Sequence, residues 1–531
     1  MDGVKVFVAD DVSESGLEPL RAAGFQIEKR TGLKGDALFE AVRDADALIV
    51  RSETKVTAEL MDAARRLRAI GRAGVGVDNI DVPAATARGI VVMNAPDGNT
   101  MTTAEHTFAL LLALARRIPQ AHASLKAGRW ERKKFVGTEL RGKTLGIIGL
   151  GRIGRVVASR AQGFEMKVIA YDPFVSPEQA RELDIELLPL EAVFERADFL
   201  TIHTPLTPET RGLIGAQAFA RMKKGVRIIN CARGGLIDEQ ALYEAIRSGK
   251  VAGAALDVFS EEPPPPDHPL LALEEVVVTP HLGASTREAQ ESVAVIVAEQ
   301  LRDYFLTGSV RGAVNMPAVS AQELHTLQPY LALAEALGRF QAQLTDEPVR
   351  EVRLEYAGEV AELNTGAVTR AFLAGLLRNV SARVNVVNSL LIAEERGIAV
   401  TTSQRRSAAE DLPALRASVV TVSGGHAVAA DLFGPRNEGR ITEIDGFRIE
   451  VIPAGHMLVL HNRDVPGVIG KVGTCLGARQ INISRFHLGR RERGGEAMAV
   501  IETDGPVSDE TLNALRAIDE VISVRYIELD S

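Results

Sequence analysis

The sequence has 531 residues. This length predicts three or four domains, because a single hydrophobic core stops growing near about 250 to 300 residues. Hydrophobic residues make up 46% of the chain and charged residues 25%, a mixture that is typical of soluble globular proteins and excludes the disordered and fibrous classes. The net charge of −9 argues against a general binder of nucleic acids or acidic membranes, but it leaves room for a compact basic pocket that holds an anionic metabolite.

The compartment is predicted from the same composition. No apolar run reaches the roughly 18 residues that a membrane span needs. The start, MDGVKVFVADD, carries acids where a secretory signal carries bases. Two cysteines, Cys231 and Cys475, are too few for a disulfide scaffold and too far apart for a metal motif. The sequence therefore predicts a cytoplasmic protein without a metal site.

The first hundred residues alternate short apolar runs with helix-like stretches. Strand-like runs cover Val4 to Asp10, Ala47 to Arg51 and Arg68 to Arg72, and this order predicts a parallel sheet covered by helices. The segment from Thr102 to Glu105 has the spacing of a capping box before a long apolar helix, Phe108 to Ala115.

A second block runs from about Gly142 to Pro280. Its six strand-like runs, separated by crossing segments, predict a complete doubly wound dinucleotide fold. The runs are Leu145–Gly149, Lys167–Asp172, Phe199–His203, Val226–Asn230, Gly253–Asp257 and Val276–Thr279. A helix is predicted from Glu288 to Leu306.

The pattern changes after Pro317. Strand-like alternation at Arg350–Tyr356 and Arg440–Val451 and a helix-like stretch at Thr369–Glu395 predict a mixed α+β domain. From His456 the order is βαββαβ, which predicts a small ferredoxin-like unit. We therefore expect four domains: a discontinuous one over 1–97 and 284–316, a nucleotide-binding one over 98–283, an intervening one over 317–452 and a terminal one over 455–531.

The motif Gly149-Leu150-Gly151-Arg152-Ile153-Gly154 matches the dinucleotide fingerprint between a buried strand and a helix. Gly149 would allow the tight turn, Gly151 the approach of a pyrophosphate, and Gly154 the close packing of helix on strand. Asp172 ends the next strand, where an acid accepts the ribose hydroxyls and disfavours a 2′-phosphate. The pattern predicts NAD as the cofactor.

Three polar residues follow later strands, at the edge where doubly wound sheets keep their chemistry: Arg233, Glu262 and His281. An imidazole can take the proton of an alcohol during hydride transfer, a carboxylate behind it fixes its tautomer, and an arginine holds a substrate carboxylate. Glu261 stands beside Glu262, and the sequence physics alone does not choose between them.

The segments GLGRIG, CARGG, LDVFSEEP and TPHLGAST, in this order, resemble the D-isomer-specific 2-hydroxyacid dehydrogenase family. GRAGVGVDNID, WERKKFVGTEL and YDP are similar to the members that oxidise 3-phosphoglycerate, and the resemblance covers nearly the whole chain. It implies Arg233, Glu262 and His281 as catalytic residues. It also implies an NAD site formed by Gly149, Gly151, Arg152, Ile153, Gly154, Asp172, Thr204, Cys231, Ala232, Arg233, Asp257, His281 and Gly283.

A phosphorylated substrate needs more positive charge than lactate does. Arg51 and Ser52 follow one strand and Arg72 ends another, which directs them to the interdomain cleft, and an arginine fork with a hydroxyl donor suits a phosphate. In the resembled family the basic cluster around Arg132 reaches the cleft of a neighbouring subunit. The substrate set is therefore Arg51, Ser52, Arg72, Arg132, Arg233 and His281.

The tail from Met457 resembles the ACT domain, whose pairs trap amino acids at their joint. The resemblance implies Asn462, Asp464 and Asn482 as ligands of an effector, L-serine. These residues are also ordinary turn formers beside Pro466-Gly467, so both interpretations stay open. A homo-oligomer is implied, as a dimer through the nucleotide domain or a tetramer.

The leading hypothesis is NAD-dependent oxidation of 3-phosphoglycerate to 3-phosphohydroxypyruvate, the first step of serine biosynthesis, regulated by L-serine. One alternative keeps the fold but takes glycerate, glyoxylate or 2-oxoglutarate. Another is a corepressor-like module with NAD as a structural ligand. No nucleic-acid or membrane partner is expected, and the sequence does not identify a ligand of the intervening domain.

Overall fold

The computed structural model describes residues 3–381, 383–405 and 412–529. Four β-sheets follow one another along these residues, and helices pack against each of them. No helix in the described ranges is both long and apolar enough to span a membrane.

The first sheet has five parallel strands in the order β2-β1-β3-β4-β5. Its central strands are buried on both faces, as their β-branched composition favours. The strands are β1 (Lys5–Val8), β2 (Gln26–Lys29), β3 (Ala47–Val50), β4 (Ala69–Arg72) and β5 (Val91–Asn94), with helices α1 (Glu18–Ala22), α2 (Asp36–Val42), α3 (Ala58–Ala63) and α4 (Val82–Ala87).

The second sheet has seven parallel strands in the order β12-β11-β10-β9-β6-β7-β8. Its helices are α5 (Thr100–Arg116), α6 (Ile118–Lys126), α7 (Arg152–Gly163), α8 (Pro177–Glu182), α9 (Leu190–Arg196), α10 (Ala216–Arg221) and α11 (Glu239–Arg247). Its strands are β6 (Thr144–Ile148), β7 (Lys167–Tyr171), β8 (Glu186–Leu187), β9 (Phe199–Ile202), β10 (Val226–Asn230), β11 (Val251–Leu256) and β12 (Val276–Val278). The two-residue strand β8 was not predicted, because it is too short to show a periodic pattern.

Helix α12 (Arg287–Thr307) returns from the second sheet to cover the first one. The side chain of Val297 fills the space that Gly71 leaves on β4, and Ala294 packs on Gly16. The predicted capping box was wrong. Helix α5 begins at Thr100 after Asn99, and the Thr103 hydroxyl donates to the carbonyl of Gly283 instead.

The third sheet is mixed, in the order β14-β13-β15-β16-β17-β18. Its elements are α13 (Ala321–Leu344), β13 (Glu351–Ala357), α14 (Thr365–Leu377), α15 (Ser389–Glu395), β14 (Ala399–Arg405), β15 (Leu415–Val420), β16 (Gly425–Phe433), β17 (Glu438–Ile444) and β18 (Phe447–Val451). The single helix predicted over Thr369–Glu395 is two helices. The Asn385 amide oxygen accepts from Val387 N and thereby competes with helical hydrogen bonds.

The fourth sheet is antiparallel, in the order β20-β21-β19-β22, and its elements run βαββαβ along the chain. They are β19 (Gly455–Arg463), α16 (Val468–Gly477), β20 (Ile483–Arg490), β21 (Glu496–Thr503), α17 (Asp509–Arg516) and β22 (Val521–Leu529). The predicted fold class is confirmed: two parallel doubly wound sheets, a mixed α+β unit and a ferredoxin-like unit.

Candidate active site

The glycine-rich turn joins β6 to α7. Gly149 has φ 91°, and a Cβ built there would lie 2.6 Å from the carbonyl oxygen of His203. A Cβ on Gly154 would overlap the carbonyl oxygen of Gly149, whereas one on Gly151 would meet nothing within 4 Å. The turn therefore needs glycine at two positions for its own packing and leaves open space at the third, in front of a helix N-terminus that favours anions.

Asp172 follows β7 beside this turn. Its carboxylate accepts hydrogen bonds from Leu150 N and Phe174 N, both at 2.8 Å. Nearby, the hydroxyl of Thr204 is buried and has no hydrogen-bond partner among the described residues. An unsatisfied buried hydroxyl beside the glycine-rich turn fits a polar ligand such as a dinucleotide. Arg152 is exposed and pairs with Asp97 at 2.7 Å, and Ile153 is half-buried in α7.

His281 and Glu262 are brought together by the loops that follow β12 and β11. His281 Nδ1 lies 2.7 Å from Glu262 Oε2. The other Glu262 oxygen accepts from Phe259 N at 3.1 Å. Burial of the Glu262 carboxyl opposes its ionisation, but the hydrogen bond from His281 prevails and holds its pKa below the ordinary value. Glu262, rather than Glu261, therefore contacts the histidine.

Asp257 organises the loop that carries His281. Its backbone carbonyl accepts from His281 N at 2.8 Å. Its carboxylate accepts from Leu282 N at 2.7 Å and Gly283 N at 2.8 Å. Burial opposes ionisation of this carboxyl, and hydrogen bonds from His106 and Thr279 outweigh it, so its pKa is lowered. Asp257 was predicted to line the cofactor site, and the structure directs its carboxylate to the His281 loop.

Cys231 and Ala232 follow β10 and lead to Arg233. Burial, together with the nearby Asp257 charge, raises the pKa of the Cys231 thiol to about 12, so this cysteine is a buried apolar neighbour and not a nucleophile. The side chain of Asn230 holds the turn, since its oxygen accepts from Ala232 N at 3.0 Å and its amide donates to Arg233 O at 2.9 Å.

Arginines from both parallel-sheet units meet between the units. Arg233 Nε donates to Asp78 Oδ2 at 2.9 Å. Burial is the main cause that lowers the pKa of Arg72 to about 10. Repulsion by the nearby cations of Arg233 and Arg51 lowers it further. The Arg72 Nε is buried without a hydrogen-bond partner among the described residues. This region, between the ends of β3 and β4 and the loops after β10 and β12, is called the cleft below.

Two residues of the predicted substrate set make no side-chain hydrogen bond to this arginine group in the described ranges. Ser52 is exposed on the loop after β3. Arg132 lies in the exposed 3-10 turn Arg132–Phe135, next to Trp130, which is 81% exposed. In the described ranges Arg132 has no hydrogen bond or ion pair. A single copy of the chain therefore does not fix Arg132 to the other substrate residues.

The predicted effector residues lie at two ends of the fourth sheet. Asp464 accepts hydrogen bonds from Gly494 N at 3.0 Å and from Arg490 at 3.1 Å. Both bonds lower the pKa of its carboxyl, the Gly494 bond more than the Arg490 bond. Asn462, buried on β19, pairs with Ala497 near the start of β21. Asn482 donates to Asp504, just past the end of β21. At about 3.3 Å per residue, the two ends are roughly 20 Å apart in one chain.

Four site residues were missed by the sequence analysis: Asp78, Thr103, His106 and Asn230. Asn230 could have been found, because it ends a strand directly before the Arg233 loop. The other three had no usable signal, since their partners lie more than 150 positions away along the chain.

Comparisons with known proteins cover the whole chain. Residues 108–283 match the NAD binding domain of D-isomer specific 2-hydroxyacid dehydrogenases, residues 326–445 match the D-3-phosphoglycerate dehydrogenase intervening domain, and residues 456–520 match the ACT domain. The D-3-phosphoglycerate dehydrogenase of Archaeoglobus fulgidus is 46% identical over 99% of this chain and 100% of its own length. The Bacillus subtilis enzyme of the same name is 45% identical, with 99% of each chain covered.

Solved structures resemble the first part of the chain. The TT0316 protein of Thermus thermophilus is 39% identical, with a TM-score of 0.54, and its full length matches 59% of this chain. A glyoxylate reductase from Paecilomyes thermophila is 30% identical, with a TM-score of 0.54 over the same 59% and over 99% of its own chain.

Proposed function

Because this chain belongs to the D-3-phosphoglycerate dehydrogenases, which are D-isomer-specific 2-hydroxyacid dehydrogenases, we propose that it oxidises 3-phosphoglycerate with NAD. The product is 3-phosphohydroxypyruvate, and the reaction is the entry step of L-serine biosynthesis. The observation that carries the proposal is the His281–Glu262 pair, whose atoms lie 2.7 Å apart in the loops after β12 and β11. The group formed by Arg51, Arg72 and Arg233 supports an anionic substrate.

His281 acts as the base. The Glu262 carboxylate can only accept a hydrogen bond while it is ionised, so Nδ1 of His281 carries the proton and Nε2 keeps a free lone pair. Nε2 takes the proton of the substrate hydroxyl, and bound NAD would supply the acceptor for the hydride. Glu262 stabilises the imidazolium that forms, and Arg233 orients the substrate carboxylate through its planar fork.

The substrate phosphate is recognised by Arg51, Ser52 and Arg72. The buried Arg72 Nε lacks a partner in the described chain, and an anion would satisfy it. The closeness of three arginines makes the free cleft electrostatically unfavourable, and a substrate that carries both a carboxylate and a phosphate reverses this effect. A substrate with a single carboxylate would neutralise less of this charge.

The cofactor site comprises the glycine-rich turn, Asp172 and the predicted residues around them. Asp172 receives the adenosine ribose hydroxyls and selects NAD over NADP, since its charge repels a 2′-phosphate. The unpartnered hydroxyl of Thr204 donates a hydrogen bond to the cofactor. Asp257 and Gly283 contribute by holding the loop that carries His281. The proposed domains are 1–97 with 284–316 for substrate, 98–283 for NAD, 317–452 as intervening domain and 455–531 as ACT domain.

The protein acts as a homo-oligomer, a dimer through the NAD domain that can pair into a tetramer. Exposed apolar side chains on and after α6 support this assembly: Ile118, Leu125, Trp130 and Val136. Arg132 lies among them and would reach the substrate of a neighbouring subunit. The unbridged thiols of Cys231 and Cys475 agree with a cytoplasmic location.

L-Serine is the proposed effector, bound between two copies of the fourth domain. Asp464 would accept its ammonium group and the amides of Asn462 and Asn482 would bind its carboxylate and hydroxyl. Asn482 lies about 20 Å from the other two within one chain. A two-fold pairing of the domains through the β20 edge would bring the opposite ends together, so the site needs two copies.

The test is NADH formation from 3-phosphoglycerate, compared with D-glycerate, the reduction of glyoxylate and of 2-oxoglutarate, and turnover with NADP. We expect 3-phosphoglycerate to have the highest kcat/KM and added L-serine to inhibit. A higher kcat/KM for D-glycerate would contradict the role of the arginine group. NAD binding without turnover on any of these acids would support a corepressor-like module instead.

A further inference from the structure

Helix α5 contacts the catalytic loop directly. Thr103 and His106 are three residues apart and therefore lie on one face of the helix. Thr103 Oγ1 donates to the carbonyl of Gly283 at 3.1 Å. His106 Nε2 lies 3.1 Å from Asp257 Oδ1 and 3.1 Å from Thr279 Oγ1. The helix thus reaches both ends of the loop Thr279–Gly283, which carries His281.

Helix α5 influences the His281 loop through the Asp257 carboxylate. The residue is 1% exposed, and a buried carboxylate is costly unless it is compensated by charged or polar partners. His106 is the only basic side chain within hydrogen-bond distance of Asp257 in the described part of the chain. The other hydrogen-bond partners of the Asp257 carboxylate are the Thr279 hydroxyl at 2.6 Å and the backbone N–H groups of Leu282 and Gly283.

His281 needs such support because of its backbone conformation. Its φ is 55°, in the left-handed region that costs a non-glycine residue of order 1–3 kcal/mol unless its surroundings enforce it. Asp257 supplies that enforcement, since it holds the N–H groups of His281, Leu282 and Gly283 in succession. A shift of Asp257 would move His281 relative to Glu262 and to the substrate.

We propose that His106 is a positioning residue for the dehydrogenation, which orients the Asp257 carboxylate so that the His281 loop stays in its catalytic conformation. This inference rests on the proposed function. His106 itself touches no reacting atom in this scheme: its Nε2–H group donates to Asp257, and its ring lies between α5 and the edge strand β12.

The experiment compares His106→Leu, which removes the donor, with His106→Gln, whose amide nitrogen can reach the same place. His325→Leu, an exposed histidine on α13, is the matched control. For each variant we would measure kcat, KM for 3-phosphoglycerate, the NAD dissociation constant, the melting temperature and the kinetic isotope effect with substrate deuterated at C2.

His106→Leu should lower kcat roughly 10- to 100-fold, because small misplacements of a catalytic group cost rates of this order. KM should change less than about twofold and the isotope effect should increase, because the chemical step becomes limiting. His106→Gln should recover most of kcat, and His325→Leu should match the wild type. If His106→Leu does not fold, His106→Ala takes its place.

Two results would overturn the inference: a kcat for His106→Leu within about twofold of wild type, or a His106→Gln variant as impaired as His106→Leu. The first would show that Asp257 holds the loop alone, the second that the ring matters by its shape. A wild-type protein without turnover would instead contradict the proposed function.

Discussion

Arg72 illustrates how a single residue can bind a ligand well and fit poorly into the free protein. Burial and the neighbouring charges of Arg233 and Arg51 lower its pKa to about 10. Because the folded-state pKa lies below the ordinary value, the charged side chain destabilises the fold at neutral pH, and the penalty fades only as the pH rises through about 10. Removing the charge should therefore stabilise the free protein.

Arg72→Met should raise the melting temperature of the ligand-free enzyme and weaken substrate binding. Loss of a charge-assisted hydrogen bond costs about 1.5–3 kcal/mol, so KM for 3-phosphoglycerate should increase roughly 10- to 150-fold. Thermal unfolding with and without substrate, together with initial rates, measures both effects. Arg160→Met, an exposed arginine on α7, is the control. A variant that melts below the wild type would contradict the proposed penalty.

The neighbouring glutamates offer a second matched comparison. Glu262→Gln removes the carboxylate that lies 2.7 Å from His281 Nδ1, so kcat should fall roughly 10²- to 10⁴-fold, as when a triad carboxylate is replaced. Glu261→Gln should keep kcat near wild type. The dissociation constant for NAD, measured by the quenching of protein fluorescence, should be unchanged in both variants. Equal losses in the two variants would mean that the contact with His281 is not what matters.

Residues of the site were predictable where a local motif places them at a strand end. Arg233 and His281 belong to such motifs, and both lie beside the cleft. The choice between Glu261 and Glu262 could not be made, because adjacent residues share the same local pattern and only the path of the loop separates them. Asp78 could not be predicted either, since its contact with Arg233 exists only when the two parallel-sheet units meet.

At the scale of elements, the turn between β6 and α7 contains one glycine that is needed for packing, Gly154, and one that leaves space for the cofactor, Gly151. Gly154→Ala should destabilise the fold by about 1–3 kcal/mol, because its Cβ would overlap the Gly149 carbonyl. Gly151→Ala should leave the melting temperature unchanged, since nothing lies within 4 Å of its Cβ position, and should weaken NAD binding by filling the open space. Thermal unfolding and NAD titration of the pair test this, and equal melting temperatures would contradict it.

Elements were predictable in proportion to their length and periodicity. Parallel strands such as β3 and β9 are short apolar runs that are buried on both faces, so their pattern is visible in the sequence. Strand β2 was not predicted, because its residues are exposed or half-buried and polar residues dominate it. The break between α14 and α15 was missed because it depends on side-chain hydrogen bonds of Asn385 and Asn388 to nearby backbone. The start of α5 was also misassigned, since Thr103 serves the Gly283 loop and not a helix cap.

In the whole molecule, regulation by serine should depend on Asp464 and not on the cleft. Asp464→Ala removes the acceptor for the serine ammonium, and the serine concentration for half-inhibition should rise about 10- to 150-fold, because a hydrogen bond to a charged group contributes about 1.5–3 kcal/mol. The uninhibited kcat should remain near wild type. Asp509→Ala, at the first turn of α17, is the control. Unaltered inhibition in Asp464→Ala would place the effector elsewhere.

The third and fourth sheets share one hydrophobic core, which the domain order in the sequence did not reveal. One face of the fourth sheet contributes Met457, Val459, Met498, Val500, Ile527 and Leu529 to the same cluster as α13 and β18, and its other face packs on α16 and α17. Gln343 of α13 also exchanges two hydrogen bonds, both of 3.0 Å, with the backbone of Glu528 on β22. The continuous buried runs of β19 and β21 indicate two covered faces, but the sequence of each strand does not say which partner covers the second one.

This shared core predicts opposite outcomes for two truncations. Removal of 455–531 should expose the apolar side chains of the third domain, so the remainder should aggregate or melt at a lower temperature. Removal of 317–531 takes Val387 from the core of the first sheet but leaves the other buried members of that core in place. It also retains Asn315, whose side chain bonds Val92 N and Ile90 O on and beside β5. The shorter chain should therefore fold and oxidise 3-phosphoglycerate without a response to serine. Its extent agrees with solved relatives whose full length matches 59% of this chain.

Size-exclusion chromatography, thermal unfolding and NADH formation would compare the two truncated forms. A well-behaved, serine-insensitive protein after removal of 455–531 alone would show that the third domain keeps its fold without the fourth.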